Sequence, residues 1–221
     1  MAISEAYNED CMIGMARYPD KFFDLAIVDP PYNVGASDGN FGGKSKAPAR
    51  ISGKTNGKNY ANYNICPDNK YFDELFRISK NQIIWGSNYY PQYLYHSGAI
   101  VWDKKNDHNH VLSDCEIAFQ SFSKLVNIIR IAWGGFYKED ETNELKYRVH
   151  PNQKPVALYK WILRNYAKPE DKILDTHLGS QSSRIAAWDG GFDFWGWELD
   201  EDYFRDGCKR FDNHIKQLKL L

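Results

Sequence analysis

Apolar positions recur along this chain in two rhythms, short dense runs and longer stretches with a helical period. Their alternation predicts a mostly parallel α/β sheet. A strand is expected around Ile3–Asn8, followed by a helix from about Asp10 to Arg17. Residues 24–29, DLAIVD, read as a buried strand, and a helix near 68–79 carries Phe72, Leu75, Phe76 and Ile78. QIIWG (82–86), a short helix near 88–95 and AIVWD (99–103) come next, with further strands at 114–120 and 125–131. The segment 134–149 is polar and irregular. Pro155 opens a helix whose Val156, Tyr159, Ile162, Leu163 and Tyr166 share one face. KILD (172–175), a helix over SSRIAAWDG, a strand at 192–198 and a terminal helix at 201–218 complete the pattern. Residues 34–64 follow neither rhythm and are rich in Gly, Ser, Asn and Lys, which predicts a long mobile loop.

The length of 221 residues suits one domain spanning 1–221. No apolar run reaches membrane-spanning length, so no membrane association is expected. The opening MAISEAYNEDCM lacks the features of a secretory signal. Cys11, Cys66, Cys115 and Cys208 are scattered, which suggests neither a disulfide framework nor a metal clip. A reducing cytoplasm is the simplest setting. His108 and His110 with Cys115 would need a fourth ligand that the sequence does not offer, so no metal is expected.

A net charge of −1 argues against a protein that coats nucleic acid through a generally basic surface. Charge is uneven, however. Lys44, Lys46, Arg50, Lys54 and Lys58 fall within fifteen residues that contain no acid. They are candidates for phosphate contacts, or simply a solvated loop. The aromatic content of 15% fits base stacking and equally fits an aromatic-rich core.

Two blocks carry candidate chemistry. In the first, the strand DLAIV runs straight into Asp29-Pro30-Pro31-Tyr32. Neither proline offers an N–H to a sheet ladder, so the strand ends there. An acid, a carbonyl held by two rigid residues and an aromatic face are thereby left together; the plainer alternative is a strand closed by a proline turn. The second block, 173–200, is strand, glycine-containing turn, helix and a strand ending in Glu198. The 23 residues from Asp175 to Glu198 match the spacing from a nucleotide-binding turn to the acid that accepts ribose hydroxyls. Gly179 is present, but Gln181 stands where a second glycine would fit, which disfavours a pyrophosphate loop. An adenosyl ligand without phosphates, such as S-adenosylmethionine, is less demanding. Ordinary strand–turn–helix punctuation is the other reading.

Taken together, the segments NEDCM (8–12), DPPY (29–32), KNQIIWGSNYY (80–90), VWDKK (101–105), SDCEIAFQSF (113–122), HPNQKPVALYKWIL (150–163) and DTHLGS…ELD (175–200) resemble a known family. They are similar, in that order, to the DNA adenine-N6 methyltransferases of the permuted β class. The resemblance implies a Rossmann-like S-adenosylmethionine-dependent methyltransferase fold, circularly permuted, so that the N-terminal strand pairs beside the last one. It implies catalysis by Asp29, Pro30, Pro31 and Tyr32 on an adenine extruded from duplex DNA. It places Asp175, His177, Gly179, Ser180 and Glu198 around the cofactor, with Asp10 and Cys11 near its adenine. Lys154 and Pro155 would lie near its methionine part, and Asp29 would border that site too. Asp10 could instead cap its helix, and Lys154 could pair with the methionine carboxylate or be solvated. His177 departs from the family, where an aromatic or apolar residue is more usual.

Segments 103–113 and 134–149 are the other places for base-reading residues, Asn106, His108, Asn109 and His110 among them. Cytosine N4 or an RNA base as acceptor, and a non-catalytic DNA- or cofactor-binding relative, are the competing readings. Asp29 favours adenine over cytosine, because cytosine-N4 relatives usually carry Ser there. The motif order favours DNA. A bacterial or phage setting fits the resemblance, and the oligomeric state stays open, a homodimer included.

Overall fold

The computed structural model describes residues 2–32, 66–94, 98–105, 113–134, 137–138 and 148–218. The whole loop expected at 34–64, with Lys44, Lys46, Arg50, Lys54 and Lys58, lies outside the described residues. So do Asn106, His108, Asn109 and His110, and most of 134–149.

In chain order the elements are β1 (Ser4–Asn8), α1 (Cys11–Met15), β2 (Phe23–Val28), α2 (Asn69–Ile78), β3 (Ser79–Trp85), β4 (Gly98–Asp103), β5 (Cys115–Gln120) and β6 (Val126–Arg130). They continue with β7 (Trp133–Gly134), β8 (Tyr137–Lys138), α3 (Val156–Tyr166), β9 (Lys172–Asp175), α4 (Ser182–Gly190), β10 (Asp193–Glu198) and α5 (Glu201–Leu218). Eight strands form one sheet in the order β1-β10-β9-β2-β3-β5-β4-β6. The first five run parallel. β5 is antiparallel to both β3 and β4, and β6 returns parallel to β4. As the chain order predicts, β1 lies against β10, with Asn8 opposite Glu198.

Side chains of β2 alternate between two cores. Leu25 and Ile27 join Ile173, Ile83 and residues of α3 and α4 on one face. Phe23, Ala26 and Val28 join Met15, Phe72, Leu75 and Trp197 on the other. A strand covered on both faces can carry an unbroken apolar run, as Leu25-Ala26-Ile27-Val28 does.

The chain leaves β9 through α4 toward β10, and leaves β2 through α2 toward β3, on the opposite side. The boundary between β9 and β2 is thus the switch point of the sheet. In open α/β sheets the crevice that admits a ligand lies at the carboxyl ends of the strands beside such a point.

Three elements differ from their sequence expectation. β3 starts at Ser79 rather than near 82, directly at the end of α2. Its polar start is accommodated because Ser79 Oγ donates to Leu75 O at 2.5 Å and Lys80 pairs with Asp24 at 2.6 Å. The short helix near 88–95 is only a 3₁₀ turn at Ser87–Tyr89. Pro91 brings no N–H to continue it, and the chain turns again around Tyr90. At the start of the segment read as irregular, Trp133–Gly134 and Tyr137–Lys138 pair as a small antiparallel ribbon.

Helix α1 packs on β10 through Gly14. A Cβ there would lie 2.1 Å from Nε1 of the fully buried Trp197, whose indole N–H donates to Glu9 at 2.7 Å. Gly14→Ala is expected to destabilise the chain by about 1–3 kcal/mol. Thermal denaturation of the two proteins checks this, and an unchanged Tm would show that α1 slides freely over the sheet.

Candidate active site

The candidate residues gather along the carboxyl edge of the parallel strands. Asp29 follows β2, Asp175 ends β9 and Glu198 ends β10, while Asp10 and Cys11 follow β1. Sheet geometry alone therefore brings together residues as far apart in the chain as Asp10 and Glu198.

Lys154 holds the centre. It is 4% exposed, and its ammonium bonds Asp29 Oδ2 and lies 3.1 Å from Glu116 Oε2. Glu116 in turn pairs with Lys104 at 2.7 Å. The Lys154 and Lys104 ammoniums sit 5.6 and 5.3 Å from the ring centres of Trp85 and Trp102, within cation–π range. Burial excludes the solvated alternative for Lys154, and its partners among the described residues are two carboxylates of the protein. Burial pushes the Asp29 carboxyl above its ordinary value, against the pull of Lys154. Two ammoniums hold Glu116 at about 2, despite its burial. Asp29 Oδ1 is shielded from solvent and has no hydrogen-bond partner among the described residues. An acceptor left open in this way calls for a donor that the described residues do not supply.

The two prolines create a second demand. The buried Tyr90 hydroxyl donates to Pro31 O at 2.7 Å and to Pro30 O at 3.0 Å. The Pro30 carbonyl therefore shares a phenol proton and keeps a lone pair. Tyr32 stacks on Tyr89, ring centres 4.5 Å apart and planes 6° from parallel. It packs over Gly86, whose φ of +68° and missing Cβ admit the ring; a Cβ would meet it at 2.6 Å. Tyr89 and Tyr90 belong to the quoted GSNYY segment, but no spacing rule tells which aromatic will stack.

At β9 the turn is built from the inside. Asp175 Oδ1 accepts from His177 N at 3.0 Å and Oδ2 from Ser183 Oγ at 2.5 Å. Gly179 has φ +47° and lies under the His150 ring, where a Cβ would come within 3.4 Å. Gln181 occupies the slot where a second glycine was sought, and adopts φ +61°. Its side chain turns away into the core, accepting from Arg184 at 3.0 Å and donating to Cys208 Sγ at 3.2 Å. Gln181 thus tolerates the backbone conformation glycine would have provided, supported by contacts to α4 and α5. Ser180 is buried; its carbonyl accepts from Arg210 at 2.6 Å and its hydroxyl meets Ser182 at 3.1 Å.

Glu198 Oε2 accepts from Gly179 N at 2.8 Å and Oε1 from Asp200 N at 2.9 Å. Each carboxylate oxygen has a further lone pair, so the group could still accept from two hydroxyls. Burial raises its carboxyl above the ordinary value. Asp10 caps α1, accepting from Met12 N at 2.8 Å, and stays exposed at the mouth of the crevice. Burial pushes the neighbouring Cys11 thiol up to about 12, so it is not a nucleophile at neutral pH. Burial also holds His177 at about 4. It is a neutral ring edge-on to Tyr71, 5.5 Å between centres, and physically an aromatic of the kind the family usually has there. His150, held at about 4 by burial and the Lys154 charge, was not singled out from sequence. Pro155 precedes α3 with extended backbone, and Lys154 just before it is buried.

An open groove of about 630 Å³ runs along α5, lined in part by Asn8, Phe204, Cys208 and Asp212. None of the candidate site residues lines it. Among the described residues no group of three His, Cys, Asp or Glu is placed to hold a metal, and no helix is long and apolar enough to cross a membrane.

The Asp175 carboxyl titrates at about 7, raised chiefly by burial. Against about 4 in the unfolded chain, this destabilises the fold progressively as pH rises from about 4 to 7, by on the order of 4 kcal/mol above that window. Asp175→Asn keeps one acceptor and removes the charge. Its melting temperature relative to the parent is expected to climb across that window, and a constant difference would contradict the assignment.

The model of the DNA methylase family matches residues 54–209, a stretch that starts after Asp29-Pro30-Pro31-Tyr32. The chain is 26% identical over 246 residues to the DNA adenine methyltransferase YhdJ of Escherichia coli K12, covering 92% of this chain and 81% of that protein. Among solved structures, the M1.HpyAVI–SAM complex aligns with a TM-score of 0.55 at 18% identity, over 93% of this chain and 98% of that one. The cytosine-N4-specific PvuII DNA methyltransferase aligns with a TM-score of 0.60 at 11% identity, over 98% and 93%. With a family match over most of its length and this arrangement of strand ends, the chain belongs to the DNA methylase family.

Proposed function

We propose that the protein transfers a methyl group from S-adenosyl-L-methionine to N6 of an adenine rotated out of duplex DNA. The observation that carries this reading is Asp29: one oxygen anchored by Lys154, the other a shielded acceptor without a partner among the described residues, next to the Pro30 carbonyl.

Adenine N6 is a weak nucleophile because its lone pair is delocalised into the ring. Two acceptors that take its two N–H groups turn that lone pair out of plane. Asp29 Oδ1 and the remaining lone pair of Pro30 O supply them. The raised carboxyl of Asp29 makes it a stronger acceptor, and its negative charge stabilises the positive charge that grows on the amine. Tyr32 offers an aromatic ring for the base, and its stack with Tyr89 fixes the plane of that ring.

The cofactor, when bound, supplies an electrophilic methyl group. Residues that suit it are Glu198, with lone pairs left for ribose hydroxyls, and Gly179, whose missing Cβ opens the turn. Asp175 and Ser180 brace that turn from within. Asp10, Cys11 and His177 border the same edge, while Lys154 and Pro155 act from the other side through Asp29. Membership of the DNA methylase family and the similarity to YhdJ support the acceptor assignment. The PvuII enzyme, named for cytosine N4, shares the fold, so the fold by itself does not select the base. A cytoplasmic setting belongs to the same reading.

Expression in a methylation-free bacterial host, followed by base-resolved mapping of its DNA, is expected to show N6-methyladenine in one short sequence context. Asp29→Ala should reduce the rate by at least ~10²-fold. Methyl groups on cytosine, or none from folded, cofactor-binding protein, would refute the reading. Neutralising Lys44, Lys46, Arg50, Lys54 and Lys58 should weaken DNA binding. The slope of log affinity against log salt should flatten by about 0.9 for each phosphate that these side chains cease to neutralise; an unchanged slope removes these residues from the interface.

A further inference from the structure

We infer that Glu116, set in place by Lys104, is a positioning residue for Asp29: it draws the Lys154 ammonium to one side, so that Asp29 keeps one oxygen open for a substrate N–H. This rests on the methyl-transfer reading and adds two residues to it, both acting on Asp29 through Lys154.

Four charges of alternating sign, Asp29, Lys154, Glu116 and Lys104, form an unbroken chain of ion pairs. They come from four places: the end of β2, the residue before Pro155, β5 and the end of β4. Each is fixed by backbone as well as charge. Glu116 stands opposite Trp102 in the β4–β5 register, and Lys104 N donates to Asp114 O at 2.9 Å. The peptide before Lys154 is held because Gln153 O accepts from Trp133 Nε1 at 2.8 Å.

An ammonium has three N–H donors. Facing a single carboxylate in a dry pocket, it would be free to span both oxygens of Asp29. With Glu116 at 3.1 Å on its other side, the Lys154 ammonium lies between two carboxylates and bonds Oδ2 alone. Oδ1 stays without a partner among the described residues. Glu116 would by itself leave the cluster one negative charge in excess, and Lys104 balances it. Two carboxylates and two ammoniums then sum to zero, which makes a charged Asp29 tolerable in a buried setting.

The charged groups around Asp29 are Lys154 before α3, Glu116 on β5, Lys104 after β4 and Asp175 on β9; the phenols of Tyr32, Tyr90 and Tyr159 also face it, and His150 faces Lys154. The charge on Glu116 raises the Asp29 carboxyl and the charge on Lys104 lowers it. Removing them should therefore move Asp29 in opposite directions.

The test compares the full chain with Glu116→Gln and Lys104→Met. For each, kcat and KM for DNA are measured across pH, together with the Asp29 carboxyl titration by ¹³C NMR in the free chain. Glu116→Gln is expected to lower kcat by on the order of 10²-fold, the scale of a misplaced reacting group. KM should change little, and the acid limb and the Asp29 titration should move to lower pH. Lys104→Met should move both to higher pH. Opposite shifts in the two variants establish the inference; if one variant fails to fold, the direction in the other decides. A loss of kcat with an unmoved Asp29 titration would mean a merely structural role and overturn it. Should the parent chain itself methylate no DNA while Asp29 still shifts as stated, the methyl-transfer reading fails and the positioning of Asp29 by Glu116 stands.

Discussion

Strands packed on both faces have no room for polar side chains along their length, so chemistry collects where they end. β2 shows this within six residues. Asp24 lies at its entry, where it pairs with Lys80 and accepts from Lys172 N at 2.9 Å. Four fully buried apolar residues, Leu25 to Val28, follow, and Asp29 comes directly after the last. β9 and β10 repeat the scheme with Asp175 and Glu198. Because the chain leaves β2 and β9 in opposite directions, their carboxyl ends face an opening rather than a crossover helix.

The polar groups gathered there are matched rather than merely adjacent. A buried ammonium needs carboxylates, buried carbonyls need donors and a buried acid needs hydrogen bonds or a neutral state. Lys154 has Asp29 and Glu116, the two proline carbonyls share Tyr90, and Asp175 has Ser183 and a backbone N–H. The exceptions among the described residues are Asp29 Oδ1, Glu116 Oε2, Trp85 Nε1 and Gln153 Nε2, which have no hydrogen-bond partner. The glycine turn follows the same logic. Gln181 adopts a left-handed conformation that costs a side chain about 1 kcal/mol, and contacts to α4 and α5 offset it.

The likeness to an enzyme named for cytosine N4 is a likeness of fold, and a fold does not by itself select a base. Side chains at the mouth of the crevice, not the layers beneath, are where proteins of one fold can differ. The aromatic pair Tyr32–Tyr89 and the left-handed Gly86 that admits it belong to that mouth. So does Asp29, which lies before the stretch matched by the family model.

Much of the architecture was legible in the chain itself. The dense apolar runs located the strands, the helical period located α2, α3, α4 and α5, and the proline pair located the end of β2. Those features are local, since burial on two faces, one face or none leaves its own period. Pairing of β1 with β10 was expected from the order of motifs, and the register Asn8–Glu198 bears it out. What tertiary structure decided is which charges meet. Nothing in the spacing of Lys104, Glu116 and Lys154 marks them as partners of Asp29, because they reach it from separate strands and a loop. Nor could spacing show that Tyr90 would serve the proline carbonyls, or that Gln181 would do a glycine's work. Ion pairing in a buried site depends on distance in space, and the sequence records only distance along the chain.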